Sequence, residues 1–276
     1  MSNATTLYKR GALSAAVAIS LGLSGQALGQ FAAENPGEFG SLDTTRGGSP
    51  ILYSQLDLAS GNGAPDQDFE AANDSYDSEG ADDFVVPNGI QWQIDEVATV
   101  GTTGTPGGAT VNITFYTDAG GEPGTPVCSY TGVTPVDNAG SFDIVLPTAC
   151  VLPPGSYWMA QQTDQEFATN GQHFWSNRTA ASNNPAVWRN PGDGFGSGCT
   201  DWAPMAGTAD GNPATGCGVG GGVNPDFLFE IRGVEVPLPP PVAVPVMNSW
   251  GWIALFGGLL AFAGFTMTRR ERNNRA

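Results

Sequence analysis

Carboxylates crowd one short stretch of the chain. Eight acidic side chains fall between residues 66 and 83. Ca²⁺ binds about six to eight oxygens, often from closely spaced carboxylates. The candidate calcium ligands are Asp66, Asp68, Glu70, Asp74 and Asp77. The stretch departs from an EF-hand loop, because that loop requires glycine where Ala71 stands and glutamate where Asp77 stands. Two interpretations stay open, a calcium site and an ordinary solvated acidic loop.

Aromatic side chains concentrate further along. Four of the seven tryptophans lie between residues 158 and 202. Exposed indoles can stack on flat apolar faces, including those of sugar rings. Trp175 and Trp188 are flanked by polar residues, so we expect this pair to be exposed and to bind carbohydrate. The alternative is that these rings fill a hydrophobic core.

The usual signatures of hydrolases are missing from the sequence. It contains no Gly-x-Ser-x-Gly elbow and no His-Glu-x-x-His motif. His173 is the single histidine, and its aromatic neighbours favour a structural or surface role. We therefore assign no catalytic residue. A hydrolase built on two carboxylates stays an open alternative, because sequence does not give their separation in space.

The four cysteines predict two disulfides, since an even count is typical of exported chains. Of the three pairings, we favour Cys128–Cys150 and Cys199–Cys217. Each would close a short loop, across a hairpin or a Gly-rich insertion. A zinc site is the competing interpretation, but the chain has no Cys-x-x-Cys motif and only one histidine.

The charge of residues 30–240 excludes one class of binding partner. Residues 30–240 contain no lysine and four arginines against 26 acidic residues, a formal charge of −22. Such a surface repels phosphates, so nucleic acid is excluded as a partner. The 39 glycines and 21 prolines of the chain favour many short strands joined by turns.

Hydrophobic alternation predicts an all-β fold. Between Ala109 and Thr117, Val111, Ile113 and Phe115 would face one way and the intervening polar residues the other. No helical period appears between residues 30 and 240. About eight to ten strands are expected, which predicts an antiparallel β-sandwich, jelly-roll-like, over residues 30–236. Residues 61–80 are expected to form an acidic loop.

The first 29 residues predict a secretory signal peptide. Lys9 and Arg10 precede the apolar run Ala12–Leu23, and small residues follow it. This order is typical of a signal that signal peptidase removes.

The opposite end predicts a membrane anchor. A Pro-rich spacer and a short motif occupy residues 237–249, an apolar segment residues 250–268, and a basic tail residues 269–276. The 18 residues from Trp250 to Met267 carry no charge and would form a helix about 27 Å long, near the thickness of a bilayer core. The arginines of the tail place that end in the cytoplasm.

The junction before this segment carries a sorting motif. Its residues are Val244, Pro245, Val246, Met247, Asn248, Ser249, Trp250 and Gly251. They resemble the Ile-Pro-Thr-Leu-Ser-Glu-Trp-Gly opening of the IPTL-CTERM sorting signal, a relative of the PEP-CTERM signals on exported proteins of Gram-negative bacteria. The resemblance implies cleavage by an exosortase-type membrane enzyme. Residues 81–87 and 153–158 are also similar to exported bacterial sandwich domains of unassigned activity.

These features favour a non-enzymatic β-sandwich that is exported and then anchored or sorted at the cell surface or in the extracellular matrix. A carbohydrate-binding module that uses the Trp-rich loops is the first alternative, with extracellular polysaccharide as its partner. A secreted carboxylate-dependent hydrolase is the second. Calcium is the one cofactor that the sequence suggests.

Overall fold

The computed structural model describes residues 32–33, 48–207, 216–239 and 260. The predicted signal peptide, sorting motif, membrane segment and basic tail lie outside these residues, apart from Leu260. Within the described part of the chain, no helix has the length and apolar character needed to cross a bilayer.

Strands dominate the described residues, as the alternation and the turn-rich composition predict. Their bounds are β1 Ile51–Ser54, β2 Ala59–Pro65, β3 Gln67–Asp68, β4 Glu79–Val86, β5 Ile90–Thr99, β6 Gly101–Thr102, β7 Thr110–Asp118, β8 Pro123–Val133, β9 Val136–Asn138, β10 Ser141–Leu152, β11 Gly155–Asp164, β12 Phe174–Arg178, β13 Val187–Arg189, β14 Ala203–Pro204, β15 Asp226–Phe227 and β16 Phe229–Pro237. Two short helices, a 3₁₀ turn at Asp74–Tyr76 and α1 at Phe167–Asn170, interrupt them.

The strands form three sheets. One has five strands in the order β1-β16-β5-β10-β9. The largest has the order β14-β13-β4-β11-β7-β8, with β3 beside β11. The third has the order β15-β12-β2, with β6 beside β12. The pairs are antiparallel except for β3 with β11, so the predicted antiparallel all-β class is confirmed.

Four of the strand pairs are nested within one another along the chain. The first strand, β1, pairs with the last, β16. Inside that pair lie β4 with β11, β5 with β10, and β7 with β8. The chain therefore follows the path of one long hairpin whose pairs are distributed alternately between two sheets.

The core lies between the five-stranded and seven-stranded sheets. In β7, Val111, Ile113 and Phe115 are fully buried, which is the face that the alternation predicts. Across the interface, the ring of Phe84 in β4 stacks on Trp92 in β5 at 5.9 Å between centroids. Burial of each such side chain contributes about 1.5–3 kcal/mol, so this apolar layer holds the two sheets together.

Both predicted disulfides form. Cys128 and Cys150 are bonded with a Cα–Cα distance of 6.0 Å, and Cys199 and Cys217 with one of 5.7 Å. The first was expected to close a hairpin. It instead joins β8 of the seven-stranded sheet to β10 of the five-stranded sheet. A bond of this kind typically adds about 2–4 kcal/mol of stability.

The expected acidic loop over residues 61–80 is only partly a loop. β2 continues to Pro65, β3 follows at once, and β4 begins at Glu79. Backbone pairing with other strands outweighs the low strand propensity of this Gly-rich and Asp-rich sequence, because propensity is weak beside tertiary context.

Candidate functional site

The single histidine forms a buried pair with an aspartate of the acidic stretch. Asp66 directly follows β2, and His173 immediately precedes β12. These two strands pair in the third sheet, which brings the two residues together. Both side chains are fully buried. The Nδ1 atom of His173 lies 2.5 Å from Oδ1 of Asp66.

The second ring nitrogen of this histidine also has a buried hydrogen-bond partner. Nε2 donates to the backbone carbonyl of Gly140 at 2.8 Å. Burial by itself lowers the pKa of His173, but the facing Asp66 carboxylate and the two hydrogen bonds outweigh it and raise the pKa above its usual value. The raised pKa and the acceptors beside both ring nitrogens favour the imidazolium form of His173 opposite Asp66. Gly140 has a φ of +92°, a conformation that favours glycine at this position.

Strand β11 completes the surroundings of the pair. Its alternate residues Gln161 and Thr163 point to the same side, and Gln161 Nε2 donates to Oδ2 of Asp66 at 2.7 Å. Thr163 Oγ1 lies 3.2 Å from Nδ1 of His173, the same nitrogen that faces Asp66. Phe142 stacks on the imidazole at 4.8 Å. A nucleophile and an orienting acid would have to contact opposite nitrogens, so this arrangement is not a relay of the serine-hydrolase type.

A second buried site contains three aspartates. Asp82 and Asp83 belong to β4 and Asp226 to β15, and all three are at most 1% exposed. Asp82 accepts hydrogen bonds from Gln55 Nε2 and from the Phe227 backbone N–H, both at 2.7 Å. We call this group the aspartate cluster.

A surface loop covers the aspartate cluster and donates to it. The Ser182 N–H donates to Oδ2 of Asp226 at 2.5 Å. Asn184 donates to Oδ2 of Asp83 through its backbone N–H at 3.1 Å and its side-chain amide at 2.7 Å. The remaining oxygens, Oδ1 of Asp83 and Oδ1 of Asp226, have no hydrogen-bond partner in the described part of the chain.

The aspartate cluster contains more acidic side chains than cations. Arg178 lies 3.8 Å from Asp226, and it is shared with Asp57 at 2.9 Å. Burial raises the pKa of Asp226 to about 7. Burial and the Asp226 charge raise the pKa of Asp82 well above its usual value. The neighbouring Tyr53 has its pKa raised to about 12, by burial and then by Asp82. The cluster therefore retains protons that exposed aspartates would lose.

The structure places the five candidate calcium ligands in separate surroundings. Asp66 pairs with His173, and Glu70 accepts from Asn73 and from the Phe167 N–H at the start of α1. Asp68, Asp74 and Asp77 stay near one another, and burial raises the pKa of Asp77 to about 6. In residues 48–207 and 216–239, no group of three or more His, Cys, Asp or Glu side chains is placed to hold a metal ion.

The expectation that Trp175 and Trp188 are exposed is wrong. Both are fully buried. Trp175 stacks on Phe227 at 4.1 Å, and its indole N–H donates to the Leu228 carbonyl at 2.9 Å. The Trp188 N–H donates to the Pro65 carbonyl at 2.6 Å. Polar neighbours misled the prediction, because they are themselves buried or occupy the opposite face of a short strand.

Sequence reasoning also missed the inward orientation of Asp82. It stands two residues before Phe84, and residues two apart in a strand share a face. Since Phe84 belongs to the core, that spacing places Asp82 inside as well. No comparable signal exists for Asp226, which reaches the site from far along the chain.

Comparison of the chain with family models, with curated proteins and with solved structures gave no significant match.

Proposed function

We propose that this chain is an exported, non-enzymatic β-sandwich of jelly-roll topology, held or sorted at the cell surface or in the extracellular matrix of a Gram-negative bacterium. The observation that carries the proposal is the pair of disulfides, above all Cys128–Cys150 between the two large sheets. Disulfides persist in oxidising compartments and are rare in the cytosol.

The nested strand pairs support the jelly-roll assignment. Eight strands, β1, β4, β5, β7, β8, β10, β11 and β16, divide between two sheets that share one apolar core. A jelly roll is built from eight strands in two sheets.

The environment of the titratable groups supports a non-enzymatic role. The His173 ring is enclosed with Asp66, and the aspartate cluster is covered by the loop that carries Ser182 and Asn184. A general base has to reach a bound substrate within hydrogen-bond distance, and these side chains have no exposed surface.

Delivery to the surface rests on the two ends of the chain, with signal peptidase and an exosortase-type enzyme as partners. Deletion of residues 250–276 should move the protein from the membrane fraction to the periplasm or medium. Mass mapping of the exported, non-reduced protein should give Cys128–Cys150 and Cys199–Cys217. Membrane association that survives the deletion would refute the anchor, and free thiols in the exported protein would refute the oxidising compartment.

A further inference from the structure

The outward face of the seven-stranded sheet carries a row of planar polar side chains. Register places Gln162 of β11 beside Asn112 of β7, and Arg189 of β13 beside Glu79 of β4. Gln161 pairs with Gly80, so the next residues, Gln162 and Glu79, are also neighbours. Adjacent strands lie about 4.8 Å apart, so the row Asn112, Gln162, Glu79 and Arg189 is about 14 Å long.

An aromatic pair lies beside this polar row. The adjacent row of the same face contains Ala81, Ala160 and Val187, which are covered, and Trp202 and Tyr116 pack against them. The two rings meet edge to face at 6.3 Å, and both are partly exposed. Trp202 closely follows Cys199, which is bonded to Cys217.

The polar row keeps unused hydrogen-bonding capacity. Arg189 directs Nε and Nη2 to the same oxygen of Glu79, and its guanidinium lies 4.3 Å above the Trp202 ring. Its orientation is therefore fixed before any ligand arrives, while among the described residues its Nη1 makes no hydrogen bond. Asn112 Oδ1 accepts from the Gly132 N–H at 2.9 Å. The Asn112 Nδ2 to Gln162 Oε1 contact is long, at 3.5 Å, and so is the one from Gln162 Nε2 to the Ser78 carbonyl, at 3.4 Å. The Asn112 amide nitrogen and the Gln162 amide can therefore exchange these contacts for a better partner.

We propose that this face binds a neutral polysaccharide, with about three sugar units lying along the row from Asn112 to Arg189. Sugar hydroxyls both donate and accept, and the row offers amides, a carboxylate and a guanidinium with both capacities. The partly exposed rings of Trp202 and Tyr116 supply the apolar contact that the faces of sugar rings require. The large negative charge of residues 30–240 disfavours anionic polysaccharides. The proposal rests on the proposed export in one respect only, namely that the chain would encounter the polysaccharide outside the cell.

Affinity electrophoresis of the purified full chain tests this directly, in native gels that contain β-1,3-glucan, β-1,4-mannan, xylan or dextran, with alginate in a separate gel as the anionic comparison. We expect at least one of these to retard the wild-type chain. Gln162→Ala and Trp202→Phe should each weaken the retardation by about tenfold or more, the loss of one or two hydrogen bonds or of a ring contact. Gln162 is half-buried with only weak contacts, so its variant should fold normally.

Val145→Ala is the matched control, since Val145 is 61% exposed in β10 of the five-stranded sheet and should not affect binding. Retardation by none of the four polysaccharides would overturn the proposal. So would retardation that is equal in wild type, Gln162→Ala and Trp202→Phe, or retardation by alginate alone. Because the measurement uses purified protein, its failure is separate from a failure of the export proposal.

Discussion

The two buried acidic sites stabilise carboxyl groups away from water in different ways. At the first, one carboxylate, Asp66, faces one cation, His173, at 2.5 Å. At the aspartate cluster, Arg178 lies 3.8 Å from Asp226 but is also paired with Asp57, and no ion pair among the described residues joins it to Asp82 or Asp83. A buried charge is tolerated when it is paired and hydrogen-bonded, and otherwise the group becomes neutral through a shifted pKa. The first site uses a counter-charge, and the second retains protons.

His173→Ala should have the largest effect, because it leaves the Asp66 carboxylate buried without its cation. Breaking a buried ion pair by removing one partner typically costs about 3–5 kcal/mol. Urea unfolding at neutral pH with both disulfides intact measures the loss. In the double variant His173→Ala with Asp66→Asn, the unpaired charge is gone and part of the stability should return. Equal losses in the single and double variants would attribute the cost to the cavity beneath Phe142 instead of the charge.

The second-largest expected effect is the pH dependence of the free energy of unfolding. Burial raises the folded pKa of Asp226 to about 7, so the folded state holds a proton that the unfolded chain releases above about pH 4. This contribution is complete below about pH 4 and is lost as pH rises toward 7. The raised pKa of His173 acts in the same direction at higher pH, since its contribution is complete below about pH 6.5 and declines above it.

Asp226→Asn should flatten the decline and stabilise the protein at pH 8 by about 1–3 kcal/mol, the work of ionising a buried acid. Thermal unfolding between pH 4 and 8 measures both effects. Asp57→Asn is the control, because Asp57 contacts the same arginine but is exposed. A decline of equal slope in wild type and Asp226→Asn would show that the aspartate cluster does not retain the proton.

Asn184→Ala should cost less, about 1–2 kcal/mol, by removing the 2.7 Å hydrogen bond from its side-chain amide to Asp83. The backbone N–H of residue 184 continues to donate to the same oxygen, which limits the loss. Urea unfolding across a pH series checks this. Burial raises the pKa of Asp83, and the cost should grow as rising pH ionises this carboxyl, because an ionised acceptor makes the stronger hydrogen bond. A loss that does not change with pH would exclude Asp83 as the titrating partner.

Calcium should have the smallest effect. The aspartate cluster could be neutralised by a metal ion instead of protons, but its side chains and those of the acidic stretch are not grouped around one point. We expect melting temperatures in millimolar calcium and in ionic-strength-matched sodium to agree within about 1 °C. A calcium-specific rise that Asp226→Asn abolishes would make the second site a metal site. A rise abolished by Asp68→Asn would restore the calcium interpretation of residues 66–77.

Strands could be predicted well from the sequence, whereas contacts between side chains that are distant along the chain could not. The alternation around Ile113 predicted both the strand β7 and its buried face, because strand period is a local property. The pairing of Cys128 with Cys150 was also accessible, since few combinations exist. The contact of Asp66 with His173 was not, because the two residues are 107 positions apart and only the third sheet brings them together. The burial of Trp175 was equally inaccessible, because all five residues of β12 are buried and the polar ones among them do not mark an exposed face.

The position of the last strand has a mechanical consequence. β16 lies between β1 and β5 and pairs with β5 from Phe229 opposite Thr99 to Pro237 opposite Ile90. Hydrogen bonds in an antiparallel pair run perpendicular to the strands. A pull on the chain beyond Pro237, directed along β16, therefore loads these bonds in shear, all together, and not one after another as in unzipping. The strand nearest the proposed anchor is the one best placed to carry tension into the rest of the fold.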